Sequence, residues 1–165
     1  MEKLFNQLSE TLFNNLNTGE HLKITIGGEN SQFVRFSQSK VRQSGLVDDA
    51  SLSLVLIKDE RTCSGSFTLT GNISTDEATA LEELNRLRDE VGTLPKDPFV
   101  VMPEDTGSSQ EEHKGSLLNE EEAVSALSPA MQGVDLAGIW ASGRIFTGNA
   151  NSAGQKHGSP QIHSP

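Results

Sequence analysis

Apolar residues recur at helical spacing over the first turns of the chain. Phe5, Leu8, Leu12 and Leu16 form one stripe, which Leu4 and Phe13 widen. The spacing predicts a helix over 2–17, stopped by Asn17-Thr18-Gly19. The pattern then changes to alternation. Leu22, Ile24 and Ile26 alternate with Lys23 and Thr25, and Gly27-Gly28-Glu29-Asn30 reads as a turn. Two more strands are expected over 32–37 and 40–47, with Asp48-Asp49 breaking the pattern. Over 50–57, Leu52, Leu54 and Leu56 face one way while Ser51, Ser53, Val55 and Ile57 face the other. Lys58-Asp59-Glu60-Arg61 is a polar turn. Its partner strand, 62–70, puts Cys63, Phe67 and Leu69 opposite a face of Thr62, Ser64, Ser66, Thr68 and Thr70. This is an antiparallel hairpin with one apolar and one hydroxyl-rich face.

A second helix is expected over 75–91. Ser74 and Glu77 have capping-box spacing, Ala80, Leu84, Leu87 and Val91 supply the buried stripe, and Gly92 ends it. These elements predict an α+β fold: a mostly antiparallel sheet with two main helices on one face, plus a carboxy-terminal β-hairpin. Residues 1–95 form the α+β unit. Residues 96–125, with Pro98, Pro103 and Gly107-Ser108-Ser109, read as a polar linker or mobile loop. Residues 126–157 are expected to complete the same half with a short helix, which Pro129 interrupts, and a hairpin that turns at Ser142-Gly143. Residues 158–165, rich in glycine, proline and serine, are expected to be a disordered tail.

Composition narrows the partners. Thirteen Lys and Arg against 23 Asp and Glu give a net charge of −10. Such a chain lacks the basic surface that nucleic acid or an anionic membrane requires. Its start is amphipathic rather than a signal peptide, and no apolar run approaches membrane-spanning length, so a cytoplasmic location is expected. The lone cysteine rules out an intrachain disulfide.

Candidate chemistry is sparse. The histidines at 21, 113, 157 and 163 form no H-E-x-x-H pair, and His157 and His163 fall in the breaker-rich end. Cys63 sits mid-strand on the apolar side, where a thiolate is not stabilised. No G-x-S-x-G elbow or phosphate loop is present. Glu111-Glu112 and the acids at 120–122 form solvated runs, and Arg35, Lys40 and Arg42 read as strand charges that favour solubility. No catalytic, cofactor-binding or metal-ligating residue is assigned. What remains is a sheet able to take an extended peptide at an edge, where backbone hydrogen bonds supply affinity without sequence choice.

The segment 133–155, GVDLAGIWASGRIFTGNANSAGQ, resembles the end of the amino-terminal half of the TldD/PmbA family, also called modulators of DNA gyrase. Its most specific piece is Ala150-Asn151-Ser152-x-Gly154-Gln155. The run 33–43, FVRFSQSKVRQ, is similar to the family's early strands. The resemblance implies a zinc-dependent peptidase system whose members pair around a channel that admits unfolded peptides. The metal motif, H-E-x-x-x-H, belongs to the carboxy-terminal half of one kind of subunit. This chain lacks it, so zinc is expected only in a missing half or a partner, and the chain alone is expected to be inactive. The breaker-rich residues from Gly158 onward suggest a truncated chain, a frameshift product or a fragment. The implied function is peptide guidance and subunit contact, in a homo- or hetero-oligomer with a paralogue. The alternative is a stand-alone protein- or peptide-binding adaptor. Trp140, Phe5 and Leu12 are the candidate contact residues, since tryptophans often anchor interfaces.

Overall fold

The structure, a computed structural model, describes residues 1–113, 115–118 and 120–163. Helix α1 (Glu2–Asn14) leads into three strands, β1 (Glu20–Ser37), β2 (Lys40–Lys58) and β3 (Arg61–Thr68). Helix α2 (Ile73–Val91) follows, then a long connection with the two-residue strand β4 (Ser109–Gln110). Helix α3 (Glu120–Leu127) runs into a 3-10 turn (Ser128–Met131), and β5 (Gly138–Asn151) and β6 (Lys156–His163) close the chain. All six strands form one sheet in the order β3-β2-β1-β5-β6-β4, antiparallel except where β4 joins β6. The expected α+β class, with two main helices on one face and a carboxy-terminal hairpin, is what the chain adopts.

The strands are longer than their local signals indicate. Gly27-Gly28-Glu29-Asn30 is no turn; these residues lie inside β1 and face Ser51, Ala50, Asp49 and Asp48 of β2. Asp48-Asp49 likewise continues its strand. A turn must reverse the chain, whereas here β2 and β5 both hold β1 extended, so each locally weak residue is carried by partners on either side. The same holds for Ser142-Gly143, which pairs with Gln32 and Ser31 in mid-strand. A Cβ on Gly143 would lie 2.2 Å from Cβ and 2.4 Å from Cα of Ser31, so this glycine permits a close strand approach. The hairpin that closes the chain turns instead at 152–155. Residues 158–163, expected within a disordered tail, continue β6 because β5 offers a second edge for pairing; the last two positions of that tail lie outside the described residues. True reversals occur at Gln38-Ser39 and Asp59-Glu60, where both residues take positive φ (54°, 52°, 50° and 61°). That conformation matches the right-handed twist of a two-residue hairpin.

Two apolar clusters share one face of this sheet. The larger joins Phe5, Leu8 and Leu12 of α1 and Ala80, Leu84, Leu87 and Val91 of α2. These meet Leu22, Ile24, Ile26, Leu52, Leu54 and Leu56 on the strands. The smaller sits at the far end of the β1–β2 hairpin and holds Val34, Phe36, Ala123 and Trp140. The N-cap of α2 is Asn72, which accepts the Thr75 N–H at 3.2 Å, rather than the expected Ser74. Asp76, almost fully buried, accepts from the Thr70 backbone and hydroxyl (both 2.8 Å) and from the Gly71 N–H (3.0 Å), tying the end of β3 to α2.

Glu20 ties three elements together. Its carboxylate takes Arg88 Nε at 3.1 Å on both oxygens, Arg88 Nη2 at 2.9 Å, the Asn17 N–H at 2.9 Å and Lys58 Nζ at 3.4 Å. Burial by itself raises the pKa of this carboxyl. The bonds from Arg88 and Asn17 outweigh burial and hold the pKa at about 2, against 4.5 ordinarily. A depressed carboxylate stabilises the fold above its unfolded pKa, and that contribution is lost as pH falls toward the folded value. Thermal melts should therefore show wild type losing up to about 3 kcal/mol between pH 4.5 and about 2. Glu20→Gln, already weaker at neutral pH, should show a flatter acid limb; parallel limbs would remove Glu20 as the cause. A second test concerns strand approach: Gly143→Ala should cost about 3 kcal/mol in urea denaturation, because its methyl meets backbone rather than a movable side chain.

Candidate functional site

The sheet face opposite the helices carries the chain's surface chemistry. Alternation along each strand sends Leu52, Leu54 and Leu56 to the core, and Ser51, Ser53, Thr62, Ser64, Ser66 and Thr68 to the other side. The same alternation in β5 buries Phe146 and Ala150 and exposes Thr147 and Asn149. Thr25 on β1 donates its hydroxyl to Asn149 Oδ1 at 2.8 Å across the strand pair. The hydroxyl-rich face expected from the β2–β3 hairpin thus extends over the middle of the sheet.

The connection after α2 is fastened at successive points rather than running free. The Asp97 N–H donates to Glu60 O at 2.7 Å, and Lys23 Nζ donates to Val101 O at 3.4 Å. Asn151 Nδ2 donates to Glu104 O at 3.2 Å, Gln155 Nε2 bonds Thr106 Oγ1, and β4 pairs with β6. Residues 101–106 therefore form a strap beside the hydroxyl face. Between strap and sheet lies a cleft of about 480 Å³, with Lys23, Thr25 and Asn149 on the sheet side and Val101, Met102 and Pro103 on the strap side. A smaller pocket of about 240 Å³, lined by Ser109, Glu111 and Thr147, shares Asn149 and His157 with it. The two make one groove along β5 and β6. Val101 and Met102 on the strap side are 74% and 44% exposed, so apolar contact is available beside the polar floor.

Ser109 Oγ lies 2.6 Å from His157 Nδ1. The two are register partners in the β4–β6 ladder, which by itself explains their approach. A nucleophile and base need a third group to orient the imidazole and donors for the oxyanion. No such hydrogen bond to His157 is found among the described residues, and the contact ties β4 to β6. His113 is exposed, 3.7 Å from Glu111, and His21 is half-buried at the start of β1. Only the backbone of His163 is described, pairing with Gly143. Among the described residues no three His, Cys, Asp or Glu side chains group as metal donors. Cys63 is buried, and burial together with Glu90 pushes its thiol up from the ordinary value.

The proposed contact residues lie elsewhere. Phe5 (1% exposed) and Leu12 (0%) are sealed between α1 and the sheet, and Trp140 (5%) fills the smaller cluster. All three are core side chains of this chain, because the helical stripe and the even positions of β5 face the same interior. Sequence reading missed Thr147 and Asn149, whose period-two alternation with Phe146, Gly148 and Ala150 was masked by the turn placed at Ser142-Gly143.

The segment Ala150-Asn151-Ser152-x-Gly154-Gln155 proves to be a structural turn. Asn151 Oδ1 accepts the N–H groups of Ala153 (2.9 Å) and Gln155 (3.3 Å), while its Nδ2 donates to Gln155 Oε1 at 3.0 Å. Ser152 and Leu22 exchange bonds: the Leu22 N–H donates to Ser152 Oγ at 3.0 Å, and the Ser152 N–H donates to Leu22 O at 2.9 Å. Gly154 supplies φ +112°. Together they close the β5–β6 hairpin, anchor it to β1 and hold the strap.

No protein-family model matches the chain, and no curated protein matches it significantly. Solved structures do. A "putative modulator of a DNA gyrase" from Thermotoga maritima superposes with TM-score 0.58 at 14% identity, covering 98% of this chain and 37% of that one. TldE from Thermococcus kodakarensis gives 0.56 at 15%, over 96% and 37%. A modulator of DNA gyrase of the same designation from Bacteroides thetaiotaomicron gives 0.59 at 18%, over 98% and 38%. The chain thus has a TldD/PmbA-like fold, in agreement with the sequence resemblance, and spans little more than a third of the length of these proteins. Among the described residues no helix is long and apolar enough to cross a membrane.

Asn151→Ala should cost about 1–3 kcal/mol and raise hydrogen exchange at 101–106 and 152–155 more than in α2. Uniform loss of protection would place the role of Asn151 in the global fold instead.

Proposed function

We propose that the chain is the amino-terminal portion of a TldD/PmbA-like subunit, serving proteolysis by guiding extended peptide substrate and contacting a partner subunit, without a catalytic centre of its own. The observation that carries this reading is the groove over the hydroxyl face. Its floor presents short donors and acceptors, Thr25, Thr147 and Asn149, which suit a peptide backbone without selecting side chains. The exposed apolar residues of the strap add contact that is equally tolerant of sequence. Net charge −10 favours neutral or basic peptides over acidic ones. The likeness to TldE supports membership of an assembly, and on the family resemblance the bond-breaking step falls to a metal centre in another part or partner of that assembly.

A blocked ten-residue peptide of Ala, Ser and Lys, titrated into 15N-labelled protein, should shift amide resonances at Thr25, Thr147, Asn149, His157 and 101–106. Affinity should be weak, roughly 0.1–1 mM, and Thr147→Trp, which fills the floor, should weaken it at least about tenfold. Shifts confined to the α1 and α2 surface, or none up to several millimolar peptide, would reject the reading.

A further inference from the structure

We propose that the outer edge of β2 over residues 40–49 is the surface on which two copies of this chain pair, antiparallel and edge to edge. The inference deepens the subunit-contact half of the reading above and rests on it; the peptide-guidance half is tested separately.

Strand β2 runs for 19 residues, but β3 covers only Ser51–Lys58. Among the described residues nothing pairs with the outer side of 40–49. The direction of its backbone groups follows from one bond. Ala50 O accepts the Leu69 N–H at 2.8 Å on the side away from β1. In an antiparallel ladder, residues whose N–H and C=O point the same way alternate, so Ser44, Leu46 and Asp48 direct theirs outward too. A free edge of this kind is a template for another strand, and monomeric proteins blunt it with proline or with charge along its length. Residues 40–49 hold no proline, and their middle, Gln43 to Val47, is uncharged. Leu46 is 72% exposed and Val41 is 46% exposed.

The order of charge selects the occupant. Lys40 and Arg42 stand at one end of the edge, and Asp48 and Asp49 at the other. A two-fold axis near Gly45 brings the basic end of each copy beside the acidic end of its mate. Parallel pairing in register would set like charge on like. The register shift at Arg35/Phe36 returns Lys40 to the open face, where it pairs with Ser37, and Asp49 lies on that same face opposite Glu29. Lys40 of one copy and Asp49 of the other therefore emerge on one side of the joined sheet. Arg42 bonds Ser37 O and Gln38 Oε1 at the turn, which leaves Lys40 as the principal cation. An unrelated peptide has no reason to carry this order of charge, whereas a second copy carries it necessarily.

Sedimentation equilibrium on the full chain near physiological salt, across about 1–100 µM, should show a dimer. Leu46→Pro removes an outward N–H without touching the β1 ladder, and should raise the dimer Kd at least about tenfold. Asp48→Lys/Asp49→Lys and Lys40→Glu/Arg42→Glu should each be monomeric alone and should form a heterodimer when mixed, with circular dichroism confirming that each is folded. A monomeric wild type over that range, a dimer indifferent to Leu46→Pro, or failure of the mixed variants to associate would each overturn the proposal. Repeating the peptide titration on Leu46→Pro separates the two readings: unchanged shifts at Thr147 and Asn149 leave peptide guidance standing when dimerisation fails, whereas wild-type shifts at 40–49 that Leu46→Pro abolishes place peptide rather than a second copy on this edge.

Discussion

Strand β1 is paired along both sides, with β2 from Glu20 to Ser37 and with β5 from Lys23 to Phe36. Every other part of the fold takes its place from that double ladder. Because side chains alternate strictly along each strand, a slip of one residue on either side would send Ile24 or Leu54 to solvent and Thr25 or Ser53 to the core. Register is therefore fixed by burial, and burial in turn requires α1 and α2 on one face only. Glycines allow the closest approaches. A Cβ on Gly148 would meet Ile26 and Phe5 at 2.9 Å, just as one on Gly143 would meet Ser31.

One-sided coverage has consequences for function. The helices occupy the apolar face, so the hydroxyl face stays open along the middle of the sheet, and the strap crosses beside it to make a groove. The long hairpin also outruns its neighbour: β3 is 8 residues long and β2 is 19, which leaves a stretch of β2 edge without a partner among the described residues. A peptide surface and a pairing edge are thus two products of the same geometry, and they lie at different places on the sheet. They need not compete.

Buried polar groups fasten the connections between these layers. Glu20 joins the end of α1, the start of β1 and the last turn of α2 through Arg88. Asp76 joins β3 to α2, and Asn151 joins the last hairpin to the strap. Each takes several hydrogen bonds, which is the condition under which a polar group is tolerated away from water. These groups set where elements end and how they lie against one another, while apolar burial supplies the bulk of the driving force.

The stripe of Phe5, Leu8 and Leu12, that of Ala80, Leu84 and Leu87, and the alternation of Leu52, Leu54 and Leu56 were legible in the chain. Each is a local periodicity that only one kind of element can bury, and together they determined the α+β class, both helices and the hydroxyl-rich face. The continuity of β1 and β2 was not legible. Gly27-Gly28, Asp48-Asp49 and Ser142-Gly143 have local preferences for turns, and only partners distant in sequence hold them extended. Trp140, Phe5 and Leu12 were offered as contact residues, and the packing shows all three inside. The strap, the groove floor at Thr147 and Asn149, and the open edge of β2 depend on which strands become neighbours. That choice was made by the tertiary structure, because pairing between separate segments, such as β1 with β5 across more than a hundred residues, leaves no periodic trace in the sequence.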